Sequence, residues 1–488
     1  MTTQTVSAPA ALSPVRPRHM GGLLGTLMRA RFTSGGVARW LPILASAGFA
    51  ISTWLTLTVA GGTWMLYQRT VTPPGFLGEV VRHDKGALFL LQCYVALALI
   101  ACALTVGPLV SLAAGAARLG ARTVERRLAV LRLVGLSSRD VTRLCVGETA
   151  IFAVVGALLG SVLYVVTLPA WRVTTIEAVQ IGSGEMLLPV GGWAAITLII
   201  VAIGVVSSWF GLAQVRISPL GVARRSLPRA LKVWRLVAFV AALVLFWVML
   251  PYMFSSKSVQ AIWPFALVAL ALLLVIGGIN LVMPWVLQQL AKLGAQMPWA
   301  SVMTANRRIQ MDPKATWRRV GPVSIVCFIA GMVGVSPVFG ANVDLEEPLK
   351  TMAAAIDRDI PLGIAITMVI TFIAAAFMVL SSAASDILER AEQSRALYRM
   401  GAPMRYLART AWFELVIPLL GCLPALGLGY LLASPMRRMV EKVGIETHSS
   451  AGLIWGAMII GLVLIVTSQI SVEPLRRATA TLNRRRND

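Results

Sequence analysis

The segment ERRLAVLRLVGLSSRDVTRLCVGE, from Glu125 to Glu148, decides how the rest of the chain is organised. It places charged residues among leucines and valines ahead of an apolar run, and a second segment resembles it 266 positions later: AEQSRALYRMGAPMRYLARTAWFE, from Ala391 to Glu414. The identical residues are Leu131 and Leu397, Gly135 and Gly401, Arg139 and Arg405, Arg143 and Arg409, and Glu148 and Glu414. Such a match at a fixed spacing indicates an internal repeat.

The composition places both copies in a membrane protein. Of the 488 residues, 57% are hydrophobic and only 13% are charged, and the mean hydropathy is +0.77. A transmembrane helix needs roughly 20 apolar residues, and many windows of the chain reach that length without the alternation of strands. The predicted spans cover about 41–66, 88–115, 147–170, 189–214, 234–255, 260–288, 319–341, 362–384, 411–434 and 451–472. The predicted fold is therefore an all-α integral membrane protein with about ten transmembrane helices.

The net charge of +23 comes from arginines in short clusters between the apolar runs. This distribution follows the positive-inside rule and argues against a nucleic-acid partner. With ten spans, the connections that hold the two repeat copies and both termini fall on the cytoplasmic side. The chain is thus predicted to be multi-pass with both termini cytoplasmic.

Each repeat copy lies between the second and third spans of a four-span unit. An even number of spans separates the copies, which predicts two parallel units joined by a two-helix connector. The predicted divisions are a disordered cytoplasmic tail at 1–20, a first unit at 21–230, the connector at 231–295, a second unit at 296–480 and a basic cytoplasmic tail at 481–488.

The residue types present exclude several kinds of chemistry. The five cysteines form no CxxC pair, and none of the three histidines has a second ligand at metal-binding spacing. The sequence contains no G-x-x-x-x-G-K-[ST] phosphate loop, so any ATP hydrolysis requires another subunit. The span interiors carry essentially no charged residue, which disfavours an ion-coupled secondary transporter. No catalytic, cofactor-binding or metal-binding residue is predicted.

Within each copy, a glycine is expected to end an amphipathic helix, because glycine readily adopts the left-handed conformation of a helix C-cap. A second helix then enters the membrane, with Ser137 or Ser138 as its cap in the first copy and Pro403 in its first turn in the second. A carboxylate at the membrane entrance needs a partner, and a structural ion pair is favoured over a proton relay. The residues predicted to form these pairs are Arg143 with Glu148 and Arg409 with Glu414. The alternative is that the arginines only fix the topology and the repeat only records a duplication.

The repeat resembles a segment of the FtsX-like permease family, which includes the membrane subunits of MacB-type and BceB-type ABC transporters. That segment approximates E-R-x-x-E-I-x-x-L-R-A-L-G-A between the second and third spans of a four-span unit. The matching residues are Leu131, Arg132 and Gly135 in the first copy, and Glu389, Arg390, Leu397, Gly401 and Ala402 in the second. PLGVARR and PLRRA resemble the family's unit ending. The acidic connection 342–361 stands where BceB-type proteins have a large extracellular domain, which favours a substrate met within the bilayer.

The resemblance implies a permease subunit of an ATP-driven ABC transporter in a bacterial cytoplasmic (inner) membrane, surrounded by membrane lipid. Two copies of a cytoplasmic ABC ATPase subunit would bind ATP and Mg²⁺ and dock onto the repeat segments. The implied coupling residues are Leu131, Arg132, Gly135, Leu136, Ser137, Ser138, Arg139 and Asp140 in the first copy, and Leu397, Gly401, Ala402, Pro403, Met404 and Arg405 in the second. The expected substrate is amphiphilic: a lipid, an antimicrobial peptide or a hydrophobic drug, exported or extracted. The alternatives are a mechanotransmitting permease that activates a cell-wall hydrolase, and a secondary transporter.

Overall fold

The computed structural model of the chain describes residues 22, 25, 40–83, 85–122, 138–182, 184–216, 233–253, 263–333, 349–442 and 451–481. These residues are almost entirely α-helical. The predicted tail at 1–20 and most of the predicted tail at 481–488 lie outside the described residues. The same holds for five residues predicted to couple to an ATPase: Leu131, Arg132, Gly135, Leu136 and Ser137.

The described helices of the first half and of the connector are long and apolar, except for the short helix α2. They are α1 Trp40–Val71, α2 Gly75–His83, α3 Lys85–Arg122, α4 Ser138–Thr167, α5 Val190–Arg216, α6 Val233–Met253 and α7 Trp263–Gly294. A 3-10 helix, Leu168–Val173, and a two-stranded antiparallel hairpin, β1 Thr175–Ile176 and β2 Val179–Gln180, join α4 to α5.

The second half alternates long apolar helices with short amphipathic ones. Its helices are α8 Ala300–Met311, α9 Pro313–Val333, α10 Leu349–Glu389, α11 Ala391–Arg399, α12 Met404–Leu420, α13 Leu423–Lys442, α14 Ala451–Ser471 and α15 Glu473–Thr481.

Helix occupies each of the ten windows predicted to span the membrane. Among the described residues, eight stretches are long and apolar enough to cross a membrane by length and composition. The other two windows fall on α6, whose apolar part Trp234–Val248 is shorter, and on α9. Helix α9 opens with the polar sequence PKATWRR and its described part ends at Val333, which leaves fewer than the roughly 20 apolar residues that a span requires. The all-α membrane fold is confirmed, and within the described residues eight of the ten predicted spans have the length and composition of a membrane span.

Two spans differ in detail from the prediction. Helix α10 begins at Leu349, well before the predicted start at 362, so the end of the expected acidic connection is helical. The ninth span is broken between α12 and α13 at Gly421 and Cys422. Pro424, one position into α13, has no N–H to continue the hydrogen-bond ladder, which accounts for the break.

The two four-helix units follow the same packing scheme. In the first unit, α1 packs on α3 and α4, and α3 packs on α5. In the second, α9 packs on α10 and α13, and α10 packs on α14. Between the units, α3 contacts α10, while α1 contacts α10 and α9 contacts α3. Exchanging the two units leaves the α3–α10 contact unchanged and converts the α1–α10 contact into the α9–α3 contact. A twofold relationship between the units requires this.

The interface between the units is apolar and closely packed. Leu55, Leu109 and Phe377 belong to one buried cluster that joins α1, α3 and α10. A Cβ added at Gly48 would lie 2.8 Å from the Cβ of Ala116 and 3.0 Å from Phe377. Small residues therefore let α1, α3 and α10 approach, as is common where helices associate in lipid.

Glycines in the interiors of the spans lie where helices approach closely. Gly156 and Gly160 bring α4 against α1, and Gly429 brings α13 against the backbone of Phe328 on α9. At Gly427, in contrast, a Cβ would meet no atom of the described residues within 4 Å. In both units the third span thus rests on the first through glycines.

Candidate functional site

The second repeat copy forms a short helix with a defined exit. Helix α11 ends at Arg399, and Gly401 follows with φ +92°. The N–H of Gly401 donates to the carbonyl of Tyr398, and the N–H of Ala402 donates to that of Leu397, each at 3.0 Å. These two bonds define a Schellman motif, which requires a left-handed residue at the glycine position. The helix-ending role predicted for Gly401 is confirmed.

The exit turn presents a mixed apolar and basic surface. Met400 is 74% exposed, and Arg405 at the start of α12 is exposed as well. Pro403 precedes α12 as its N-cap residue, with ψ 146°, rather than occupying the first turn. Leu397, Ala402 and Met404 are half-buried beneath this surface. The residues of the second copy that are predicted to couple to an ATPase therefore lie together on one short helix–turn–helix.

Glu414, predicted to pair with Arg409, has different partners. Its carboxylate accepts from Nη1 of Arg308 at 2.7 Å and from Nη1 of Arg390 at 3.2 Å. Residues five apart on a helix lie about 140° apart around its axis, so Arg409 points away from Glu414. Arg409 is exposed. The pairing of Arg409 with Glu414 is therefore corrected to a three-element cluster.

This cluster joins α8, the α10–α11 junction and α12, because Arg308 lies on α8 and Arg390 separates α10 from α11. Helix α11 has a second attachment, in which Nε of Arg395 donates to the carbonyl of Thr479 on α15 at 2.9 Å. The α8–α12 contact and the attachments of α11 to α12 and α15 thus form one connected set of polar interactions.

The first repeat copy is described only from Ser138 onward. Ser138, Arg139 and Asp140 form the first turn of α4. Further along the same helix, Arg143 is exposed and Glu148 is half-buried. They are also five residues apart, so the geometry that separates Arg409 from Glu414 applies to them.

A second polar site lies at the opposite end of the units and was not predicted from the sequence. Arg69, the basic residue in the last turn of α1, is only 2% exposed. Its Nη2 donates to Glu185 at 2.7 Å, and its Nη1 donates to Glu177 at 3.2 Å and to the carbonyl of Ile176 at 2.8 Å. An arginine at the predicted outer end of a span, against the positive-inside rule, is the sequence feature that could have indicated this site.

The hairpin that carries Glu177 has a turn with positive φ angles at two residues that are not glycine. Glu177 and Ala178 form its two-residue loop with φ 59° and 61°, as a type I′ turn requires, although asparagine and glycine are the usual residues there. The N–H of Glu177 donates to Asp359 on α10 at 2.7 Å. Tyr94 on α3 donates its hydroxyl to the same carboxylate at 3.0 Å. The hairpin of the first unit is thereby bound to a helix of the second.

Burial has a marked effect on the Glu177 carboxyl. Desolvation raises its pKa from 4.5 to about 7, although Arg69 opposes the shift. Its Oε1 is buried without a hydrogen-bond partner among the described residues. The folded protein therefore holds a proton on Glu177 more readily than the unfolded chain does.

From this shift we expect stability to depend on pH at Glu177. A raised folded-state pKa contributes stability that is fully present below pH 4.5 and is lost as pH rises through about 7. Relative to Glu177→Gln, the wild type should lose up to about 3 kcal/mol across this window. Thermal unfolding of both proteins in detergent at a series of pH values measures the difference. Parallel curves would contradict the expectation.

The Gln variant isolates this titration because the other charged and titratable groups around the hairpin remain in both proteins. Those groups are Arg69, Tyr94, Glu185, Arg358 and Asp359.

Comparison with known families addresses the first unit. Residues 99–220 match the family model described as FtsX-like permease C-terminal. The matched region contains the first repeat copy, Glu125–Glu148, together with α4 and α5. Comparisons with curated proteins and with solved structures gave no match. The chain thus has, among its described residues, eight helices long and apolar enough to cross a membrane, and over residues 99–220 it is similar to the FtsX-like permease C-terminal domain.

Proposed function

We propose that the chain is the permease subunit of an ATP-driven ABC transporter that exports or extracts an amphiphilic substrate. The observation that carries this proposal is the helix–turn–helix of α11, Gly401 and α12, which presents exposed apolar and basic side chains at the end of the bundle. It stands between the second and third spans of its unit, at the position occupied by the first copy in the matched FtsX-like region.

Docking of a separate ATPase at this surface suits its chemistry. Exposed Met400 and Tyr398 provide apolar surface, and exposed Arg405 provides a positive charge beside them. Aromatic, methionine and arginine side chains are enriched in protein interfaces. The equivalent contact in the first copy would involve Gly135 to Asp140. One chain would then engage two copies of a cytoplasmic ATPase, which bind ATP and Mg²⁺.

Transmission to the membrane would proceed through the attachments of α11. ATP-driven closure of the two ATPases would displace the docked turns. The Arg390–Glu414 contact then moves α12, and the Arg395–Thr479 contact moves α15. Helices α3 and α10, which meet at the centre of the molecule, would change their separation and open or close a path for the substrate.

An amphiphilic substrate is supported by the surface that the units present to lipid. Only 11% of the most apolar window of α5 is buried within the structure, and large side chains such as Leu198 and Trp209 are exposed on it. The elements that the structure describes between α4 and α5 are a short 3-10 helix and a small hairpin. A substrate that partitions into the bilayer could approach the helices from the side.

Charge reversal at Arg405 and Arg139 tests the docking proposal. We expect Arg405→Glu to weaken copurification with the partner ATPase about tenfold or more, because like-charge contacts in an interface cost several kcal/mol and 1.4 kcal/mol is a factor of ten. Arg139→Glu should have a similar effect through the first copy. Copurification and ATPase stimulation in lipid nanodiscs are the measurements.

Arg82→Glu provides the matched control, since Arg82 is exposed on α2 at the opposite end of the units. Unchanged assembly and unchanged stimulation in both variants would remove these turns from the interface. Substrate efflux that persists without ATP but collapses with the proton gradient would instead support a secondary transporter.

A further inference from the structure

A polar cavity lies at the end of the second unit beneath α11. It has a volume of about 70 Å³ and is bounded by α8, α9, α10, α11, α12, α14 and α15. Four arginines line it, together with two carboxylates, those of Asp386 and Glu414. The arginines are Arg308, Arg319, Arg390 and Arg476. The cavity therefore gathers an excess of positive charge inside a largely apolar bundle.

The ion pairs within the cavity do not balance this charge. Glu414 is shared between Arg308 and Arg390, and Asp386 pairs with Arg319. The fourth, Arg476, has a side chain that is 8% exposed and pairs with Glu473 at 2.9 Å. Glu473 also contacts Arg477 at 3.8 Å. Each of the three carboxylates therefore already pairs with at least one arginine. Arg308 and Arg390 share one carboxylate and are only 26% and 32% exposed, so an anion in the cavity would compensate a partly buried surplus of positive charge.

Gln469 provides an independent observation. Its residue is 5% exposed and lines the cavity, where its side-chain amide offers a neutral donor beside the arginines. A buried polar group nearly always has a partner. An amide donor that faces a basic cavity would be satisfied by an oxygen of a bound anion.

We propose that this cavity binds a phosphate group, supplied either by the headgroup of an anionic phospholipid or by free inorganic phosphate. Guanidinium groups hold phosphate oxygens through paired, charge-assisted hydrogen bonds. Arg308 and Arg476 keep unused N–H donors while their carboxylate partners are satisfied, and the Gln469 amide adds a neutral donor. A bound phosphate would link α8, α14 and α15 around the base of α11. The site requires no ATPase and no transported substrate, so it is independent of the proposed function.

The test uses the full-length protein purified in a non-ionic detergent. Thermal unfolding is followed during titration with dioctanoyl phosphatidylglycerol, with dioctanoyl phosphatidylcholine and with sodium phosphate, at constant ionic strength. A ligand that binds the folded state raises the unfolding temperature in a saturable manner. We expect saturation with phosphatidylglycerol or with phosphate, but not with the zwitterionic lipid.

Two single substitutions reduce the positive charge without orphaning a carboxylate. Arg308→Gln leaves Glu414 with Arg390, and Arg476→Gln leaves Glu473 with Arg477. Each should raise the saturation midpoint about tenfold, since a hydrogen bond to a charged group is worth about 1.5–3 kcal/mol. Arg409→Gln removes an exposed charge outside the cavity and should leave the midpoint unchanged.

The arms of the titration distinguish the source of the phosphate. Saturation with phosphatidylglycerol alone identifies the lipid headgroup as the ligand, whereas an equal response to sodium phosphate identifies the free ion. In either case the saturation midpoint must rise in the Arg308→Gln and Arg476→Gln variants. The proposal is overturned if neither probe produces a saturable rise in the wild type. It is equally overturned if the two variants, each compared with its own unliganded baseline, respond as the wild type does.

Discussion

Replacement of Arg69 by methionine is expected to destabilise the protein by about 3–5 kcal/mol, the usual result of removing one partner from a buried ion pair. The methionine fills the space of the aliphatic part of the side chain but leaves the Glu177 carboxylate, which is 0% exposed, without its cation. It also removes the donors to the carbonyls of Ile176 and Gln180, which hold the hairpin on α1.

The size of this effect should depend on pH. Glu177 already has a pKa of about 7 in the presence of Arg69. Below about pH 5 it is protonated whether or not the arginine is present, so the cost of Arg69→Met should be smaller there than at pH 8. Thermal unfolding in detergent at both pH values measures the difference.

Arg82→Met serves as the control, since it removes an exposed arginine from the neighbouring α2 and should change stability by less than about 0.5 kcal/mol. The double variant Arg69→Met, Glu177→Gln should be more stable at pH 8 than Arg69→Met alone, because no charge is left buried without a partner. An Arg69→Met protein as stable as the control at both pH values would show that the cluster contributes no stability.

Sequence patterns predict those features of the fold that depend on local chemistry. Apolar windows of sufficient length must become helices in a membrane, because every backbone group then finds a partner within its own segment. Gly401 is predictable as the end of a helix because only glycine adopts the required conformation at low cost. The position of α11 follows from the repeat, since a duplicated unit places equivalent segments in equivalent connections.

Contacts between residues distant in sequence are not predictable in this manner. Glu414 lies near Arg409 in sequence, but its observed partner Arg308 is on α8, which no periodic pattern links to α12. The outer cluster is a more extreme case. Arg69, Glu177 and Asp359 come from α1, a hairpin loop and α10, and only tertiary packing of the two units brings them together.

The Glu414 cluster also yields a prediction that distinguishes pairing of Glu414 with Arg409 from its pairing with Arg308 and Arg390. Glu414→Gln should destabilise the protein by about 2 kcal/mol, less than for a fully buried pair, because Arg308 and Arg390 retain 26% and 32% exposure. The substitution leaves two guanidinium groups facing each other in a cavity that already contains Arg319 and Arg476. Thermal unfolding in detergent measures the loss, with Glu79→Gln, at an exposed site on α2, as the control.

Substitution of Arg409 identifies which arginines stabilise the carboxylate. If Glu414 were paired along its own helix, Arg409→Gln would cost nearly as much as Glu414→Gln. The observed geometry instead predicts a change below about 0.5 kcal/mol for Arg409→Gln, since that side chain is exposed. Arg308→Gln and Arg390→Gln should each cost less than Glu414→Gln, because the remaining arginine still pairs with the carboxylate. A loss in Arg409→Gln equal to that in Glu414→Gln would refute the three-element cluster. It would also remove the route by which α11 is connected to α12.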